Sequence, residues 1–267
     1  MREFTFGQFY PADSIIHKLD ARVKLLITIA YITSIFIVDG FFGFIYTVLF
    51  LCIAIALAKI PIRAVVKTIK PILFLVLFTA ILNLFFYQNG EILWQWWFIK
   101  IYDKSIEFSI YMALRLILLV MGSSILTLTT QPVELTDGIE SLLTPLKWVR
   151  FPVHELALIM SIALRFIPTL MDESDRIIRA QKARGADFES GNLLNKAKAM
   201  IPILIPLLVS SFRRADELAD AMDARCYSGG KNRTKYKKFH IGMNDVIACM
   251  STAAMIMIII TTNAVLL

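Results

Sequence analysis

The sequence predicts an all-α, polytopic membrane protein with about five transmembrane helices and a charged cytoplasmic helical module. Three observations lead there. Hydrophobic residues make up 57% of the chain and charged residues only 18%, with a mean hydropathy of +0.67; a soluble domain is nearer half apolar and a quarter charged. The charges are unevenly spread, being absent from long apolar runs and dense between Asp172 and His240. Several of those runs approach the ~20 residues that an α-helix needs to cross a bilayer.

The net charge of +7 does not indicate a nucleic-acid partner. The basic residues cluster beside hydrophobic runs, as expected for loops on the cytoplasmic side of a membrane. Three cysteines, Cys52, Cys226 and Cys249, are odd in number and far apart, so neither a disulfide framework nor a metal site follows.

The first twenty or so residues are polar, and a cleavable secretory signal is not expected there. The first span is predicted over Val23–Val38, about 24 Å of helix, with Lys24 and Asp39 able to snorkel at its ends. Asp39-Gly40 forms a turn, and Phe41–Ala58 returns across the membrane. A basic loop with Lys59, Arg63, Lys67 and Lys70 precedes a third span over Pro71–Tyr87. The next loop carries Trp94, Trp96 and Trp97, an expected interfacial aromatic cluster. Ser105–Thr130 is the fourth span and Met243–Leu267 the fifth. Basic residues between Lys59 and Lys70, against none at Asp39-Gly40, place the N-terminus in the cytoplasm and the C-terminus outside.

Three regions result: 1–130 with the N-terminal polar segment and four spans, 131–242 with cytoplasmic helices carrying two Ala-Arg motifs, and 243–267 with the last span. Within the middle region, Pro132–Leu143 has helical spacing of apolar residues and reads as a short amphipathic helix. Two apolar runs, Leu156–Leu164 and Met200–Val209, fall short of a bilayer crossing and have charged flanks. They are expected to be the apolar halves of long helices along the cytoplasmic face, with Pro168 kinking one of them. A basic, turn-forming connector follows Arg225.

One pattern is written twice in this region. DESDRIIRAQKARG ends at Gly185, and RRADELADAMDARC ends at Cys226 about forty residues later. Gly185 stands where a helix would need positive φ to terminate. Arg184 and Arg225 therefore fall in last helical turns, where the dipole favours a cation. Two such helices could be plugs for two similar sockets, or simply helices of ordinary composition that end on arginine. Arg115 is the one charge well inside a span; it is either functional, or an arginine facing a groove between helices or meeting a partner protein through backbone carbonyls.

Catalytic patterns are lacking. Gly229–Asn232 has neither the upstream glycine nor the following Ser or Thr of a phosphate loop. The three histidines, His17, His154 and His240, have no second ligand in range. No enzyme activity, cofactor or metal is expected.

The chain resembles the transmembrane coupling subunit, or T component, of energy-coupling-factor (ECF) importers of vitamins and metals. The resemblance rests on GQFYPADSIIHKLDARVKLL, PVELTDGIESLLTPLK and FPVHELALIMSIALRFIPTLMDESDRIIRAQKARGADF. It rests also on the paired Ala-Arg-Gly signatures, Ala183-Arg184-Gly185 and Ala224-Arg225-Cys226. The second departs from the pattern at Cys226, which tolerates positive φ poorly. The resemblance implies a cell-membrane complex with two ABC-type ATPases and a small substrate-capture membrane protein. It implies that Arg184 and Arg225 each enter a groove on one ATPase, and that ATP-driven movement of the coupling helices reorients the capture protein. An ordinary ABC permease subunit and a stand-alone secondary carrier are the alternatives. The first usually offers one cytoplasmic helix per subunit; the second would more typically carry an intramembrane carboxylate and broken helices in matched halves.

Overall fold

The computed structural model describes residues 9–38, 40–87, 89–90, 92–96, 99–149, 152–186, 188, 193–229 and 242–266. The Asp39 side of the first turn, Trp97, and the basic connector through Lys235 and His240 lie outside the described residues. Two compact units are present: Gly7–Leu142 with Lys238–Leu267, and one containing Leu143–Lys237.

The first unit is a helical bundle. Asp20 begins α1 (Ala21–Ile37), its carboxylate accepting the Arg22 N–H at 2.9 Å as an N-cap does. At 17 residues, α1 is about 25 Å long. It is followed by α2 (Phe41–Ala58), whose bounds are those expected from the sequence. The basic segment that reads as a loop forms α3 (Ile62–Ile69). Pro61 sits at its N-cap position, and Val65 on one face is fully buried. Amphipathicity over only two turns explains why the sequence reads as a loop there.

Pro71 follows α3, and α4 (Leu73–Phe86) leaves at 54° to it. Proline cannot continue the hydrogen-bond ladder, which accounts for the break. The third span is thus only 14 residues as a straight helix, shorter than the sequence run. A small antiparallel hairpin follows, β1 (Ile92–Trp96) with β2 (Ile99–Tyr102), in the stretch expected to be an aromatic loop. Then come α5 (Asp103–Thr129), α6 (Pro132–Leu143) and, after the second unit, α9 (Met243–Leu266).

The core of the bundle lies between α1, α2, α5 and α9. Ile35, Phe44, Leu51, Leu118 and Ile259 are buried together. Gly122 of α5 permits the closest approach: a Cβ there would stand 2.1 Å from the Tyr31 ring. Outward positions are as apolar as inward ones, with Phe36, Phe74 and Phe86 each more than half exposed. That is the pattern of helices whose outer solvent is hydrocarbon.

Polar contacts fix the helix directions. The Lys24 ammonium donates to Thr129 O and His17 O, both at 3.0 Å. At the other end of α1, Arg115 Nη2 of α5 donates to Val38 O at 2.9 Å, so α1 and α5 are antiparallel. Asp245 Oδ1 accepts the Asp20 N–H at 2.9 Å, and Asn263 Nδ2 donates to Ile37 O at 2.6 Å, so α1 and α9 are parallel.

The second unit contains a short 3-10 turn (Thr144–Val149) and two helices, α7 (Val153–Ala183) and α8 (Leu193–Asp223). Each is 31 residues long and runs through internal prolines, Pro168 in α7 and Pro202 and Pro206 in α8. By length and composition α2, α5, α7 and α9 could each cross a membrane, as could α3 with α4 if that pair is one span. The apolar run at Leu156–Leu164 is short, as read from sequence, but it is embedded in a helix long enough to cross.

Candidate functional site: two arginine-tipped helix ends

The two copies of the repeated pattern fold into the same terminator. In α7 the last helical residue is Ala183, Arg184 is the C-cap (φ −86°, ψ 4°), and Gly185 has φ +87°. The Gly185 N–H donates to Lys182 O at 3.0 Å and the Ala186 N–H to Gln181 O at 3.0 Å. In α8 the Cys226 N–H donates to Asp223 O at 2.9 Å and the Tyr227 N–H to Met222 O at 3.0 Å. Both are Schellman closures, with the crossed pair of bonds that satisfies the orphan carbonyls of a helix end. Arg184 and Arg225 occupy equivalent positions, each just before the residue at positive φ.

Cys226 adopts φ +55°. The departure from glycine therefore leaves the turn geometry unchanged and adds strain: a left-handed backbone costs a non-glycine residue about 1–2 kcal/mol. Among the described residues, and leaving aside its chain neighbours, no atom lies within 4 Å of a Cβ built on Gly185, so glycine there answers a backbone need rather than a packing one.

Ala183, Arg184, Gly185, Ala224, Arg225 and Cys226 are all solvent-exposed. Among the described residues, no side-chain partner takes either guanidinium. Each fork is thus available for bidentate pairing with a carboxylate.

Two polar contacts between described residues join the helices behind the tips. Arg214 of α8 pairs with Glu173 of α7 at 2.7 Å, both side chains about two-thirds covered or more. These residues occupy the same place in the two copies of the repeat. Gln181 Nε2 donates to Pro202 O at 3.4 Å. That carbonyl is one a regular helix would satisfy from residue 206, and Pro206 has no N–H to give. The second contact thus mends the backbone defect of α8 from α7. Neither contact was signalled by the sequence patterns, because pairing across helices needs their relative register.

Arg115 belongs to the bundle unit, where its donation to Val38 O caps the end of α1. Of the two readings of this residue, the packed one has a geometric partner. The polar cluster at the opposite end of α1 was overlooked in the sequence. There Asp245 accepts from Asp20 N–H and, at 2.7 Å, from Gly242 N–H, while Lys24 is buried against two carbonyls. Asp20 immediately before an apolar run was a readable cap signal; its link to Asp245 was not.

A multi-pass helical membrane protein with a duplicated, arginine-ended helix pair is the class these features define. The family described as cobalt transport protein, CbiQ, matches residues 12–236. The chain is 52% identical to the energy-coupling factor transporter transmembrane protein EcfT of Clostridium kluyveri, over 98% of each chain. It is 49% identical to that of Ruminiclostridium cellulolyticum over 92% of each. It is 44% identical to that of Bacillus subtilis over 89% of this chain and 90% of the relative. The chain belongs to this CbiQ/EcfT family, the transmembrane T components of ECF transporters. It is therefore a membrane transporter subunit.

Proposed function

We propose that the chain is the non-catalytic membrane scaffold of an ATP-driven importer of a vitamin or similar micronutrient. Two ABC-type ATPase subunits each receive one arginine tip, Arg184 or Arg225, in a groove. The matching crossed hydrogen bonds of the two helix ends, each with an exposed arginine just before the residue at positive φ, are the observation that carries this reading. The apolar residues exposed along the N-terminal halves, such as Ile159 and Met160 of α7 and Leu204 and Leu208 of α8, provide a face for a small substrate-capture membrane protein. Movement of the ATPases on ATP binding would shift both helices and, through them, that protein.

Connectivity supports a cytoplasmic position for α7 and α8. The end of α5 and the start of α9 both lie at the N-terminal end of α1, through Lys24–Thr129 and Asp20–Asp245. A chain that leaves and re-enters a bundle at one face crosses the bilayer an even number of times. α7 passes the length and composition criteria for a span and α8 does not, so no crossing is the consistent count. α1, flanked by α5 and α9, then serves as the first span despite its 17 residues. The basic residues Lys18, Arg22 and Lys24 at its start favour the cytoplasm for that face.

Affinity purification of the chain from its own membranes tests the proposal. Co-purification of ATP-binding polypeptides and a small third membrane protein is expected. Transport by the purified chain alone in proteoliposomes would instead establish a secondary carrier.

A further inference from the structure

Aligned on their terminators, the two copies of the repeat carry opposite charges. Arg176, Arg179 and Lys182 of α7 stand where α8 has Glu217, Asp220 and Asp223. All six side chains are exposed, and in each helix they recur every third residue over the last two turns or so before the arginine. Acid–base spacings of four residues, Asp172/Arg176, Asp175/Arg179 and Arg213/Glu217, give part of this pattern local support, but nothing local calls for Asp220 and Asp223 at the end of α8. Like charges three apart repel within a helix, and acids in the last turns oppose the negative end of the dipole. The basic copy agrees with the dipole and has acids four residues before Arg176 and Arg179; the acidic copy opposes the dipole in its last turn.

We propose that the two tips are electrostatically non-interchangeable: α7 docks into an acid-lined ATPase groove and α8 into a base-lined one. The inference rests on the plug reading above and extends it, for two identical sockets would mismatch one of the tips. Arg184 and Arg225 supply the shared anchor, and the flanking charges choose which groove each enters. Charge lining of this kind acts chiefly on encounter rate and on rejection of the wrong partner.

The test uses the full chain co-expressed with the transporter's other subunits, with Arg184 and Arg225 kept. A photo-crosslinking residue replaces exposed Ala180 or, at the equivalent place, exposed Ala221. Ala180 should label one ATPase polypeptide at an Asp/Glu-rich peptide, and Ala221 a different polypeptide at a Lys/Arg-rich one. Neutralised chains (R176Q/R179Q/K182Q, or E217Q/D220N/D223N) should reassemble with the ATPases about tenfold more slowly at low salt, the difference disappearing at high salt. Removing the acids relieves repulsion at the end of α8, so its amides should be no less protected from hydrogen exchange; slower assembly is then not unfolding. Labelling of one polypeptide from both positions, peptides of one sign, or salt-independent assembly would overturn the inference. An R184A/R225A chain run alongside separates the two ideas. If it loses the ATPases while the labels are indiscriminate, only the charge inference fails; if it keeps them, the plug reading itself fails.

Discussion

Gly185 and Cys226 occupy one position of one motif, so exchanging their side-chain character should shift stability in opposite directions. Gly185→Ala adds a Cβ to a residue at φ +87° with open space around it. The steric term is nil and the left-handed backbone penalty, about 1–2 kcal/mol, stands almost alone. It is partly offset by the entropy an alanine removes from the unfolded chain, about 0.5–1 kcal/mol. Cys226→Gly runs the same arithmetic backwards from φ +55°. Each substitution is thus worth about 0.5–1 kcal/mol, a twofold to fivefold change in the local opening constant. Hydrogen exchange of the Ala186 and Tyr227 amides, which close the two motifs, reads this directly. Protection should fall at Ala186 in G185A and rise at Tyr227 in C226G. Reduced protection at Tyr227 in C226G would refute the assignment of Cys226 to a glycine-type position. Loss of transport by an intact C226G complex would point to a role for the thiol.

Three further outcomes follow from the bundle. Gly122→Ala should destabilise the detergent-solubilised protein by about 1–3 kcal/mol through collision with the Tyr31 ring, and a Tyr31→Leu change in the same chain should recover part of that loss in a thermal melt. Arg115→Met removes the donor to Val38 O and should lower thermal stability while leaving ATPase co-purification intact; lost coupling with unchanged stability would make Arg115 functional rather than a helix cap. In a background without native cysteines, a cysteine at Lys182 should react with a membrane-impermeant thiol reagent only in inverted vesicles, and labelling from outside intact cells would refute the cytoplasmic placement of α7.

What the sequence disclosed followed the strength of each local signal. α2 and α6 have the bounds expected, because Gly40 and Pro132 mark their starts and a change of composition their ends. The terminators were legible because Gly185 in a helical context demands a positive φ, and because the Ala-Arg pair repeats. The retention of that geometry at Cys226 was not, since propensity opposes it and the crossed hydrogen bonds override propensity. α3 was hidden because a two-turn amphipathic helix beside a proline resembles a basic loop. The Glu173–Arg214 and Lys24–Thr129 contacts depend on how helices distant in sequence are aligned, which no local pattern encodes. The charge inversion between the copies was present in the residues throughout, but it acquires meaning only once both tips are seen to be exposed and alike in backbone.

The central claim is that Arg184 and Arg225 hold the ATPases. Co-purification of the ATPases with R184A, R225A and the double variant tests it most directly, with uptake measured alongside. Either single loss leaves one contact that still tethers the complex, so partial assembly and impaired uptake are expected. Loss of one arginine from a desolvated carboxylate typically costs about 2–5 kcal/mol, and lysine, lacking the planar fork, should restore only part of it. The double variant should insert into the membrane normally and lose the ATPases. A double variant that retains them and transports at the normal rate would reduce the repeated motif to two well-terminated helices and contradict the account.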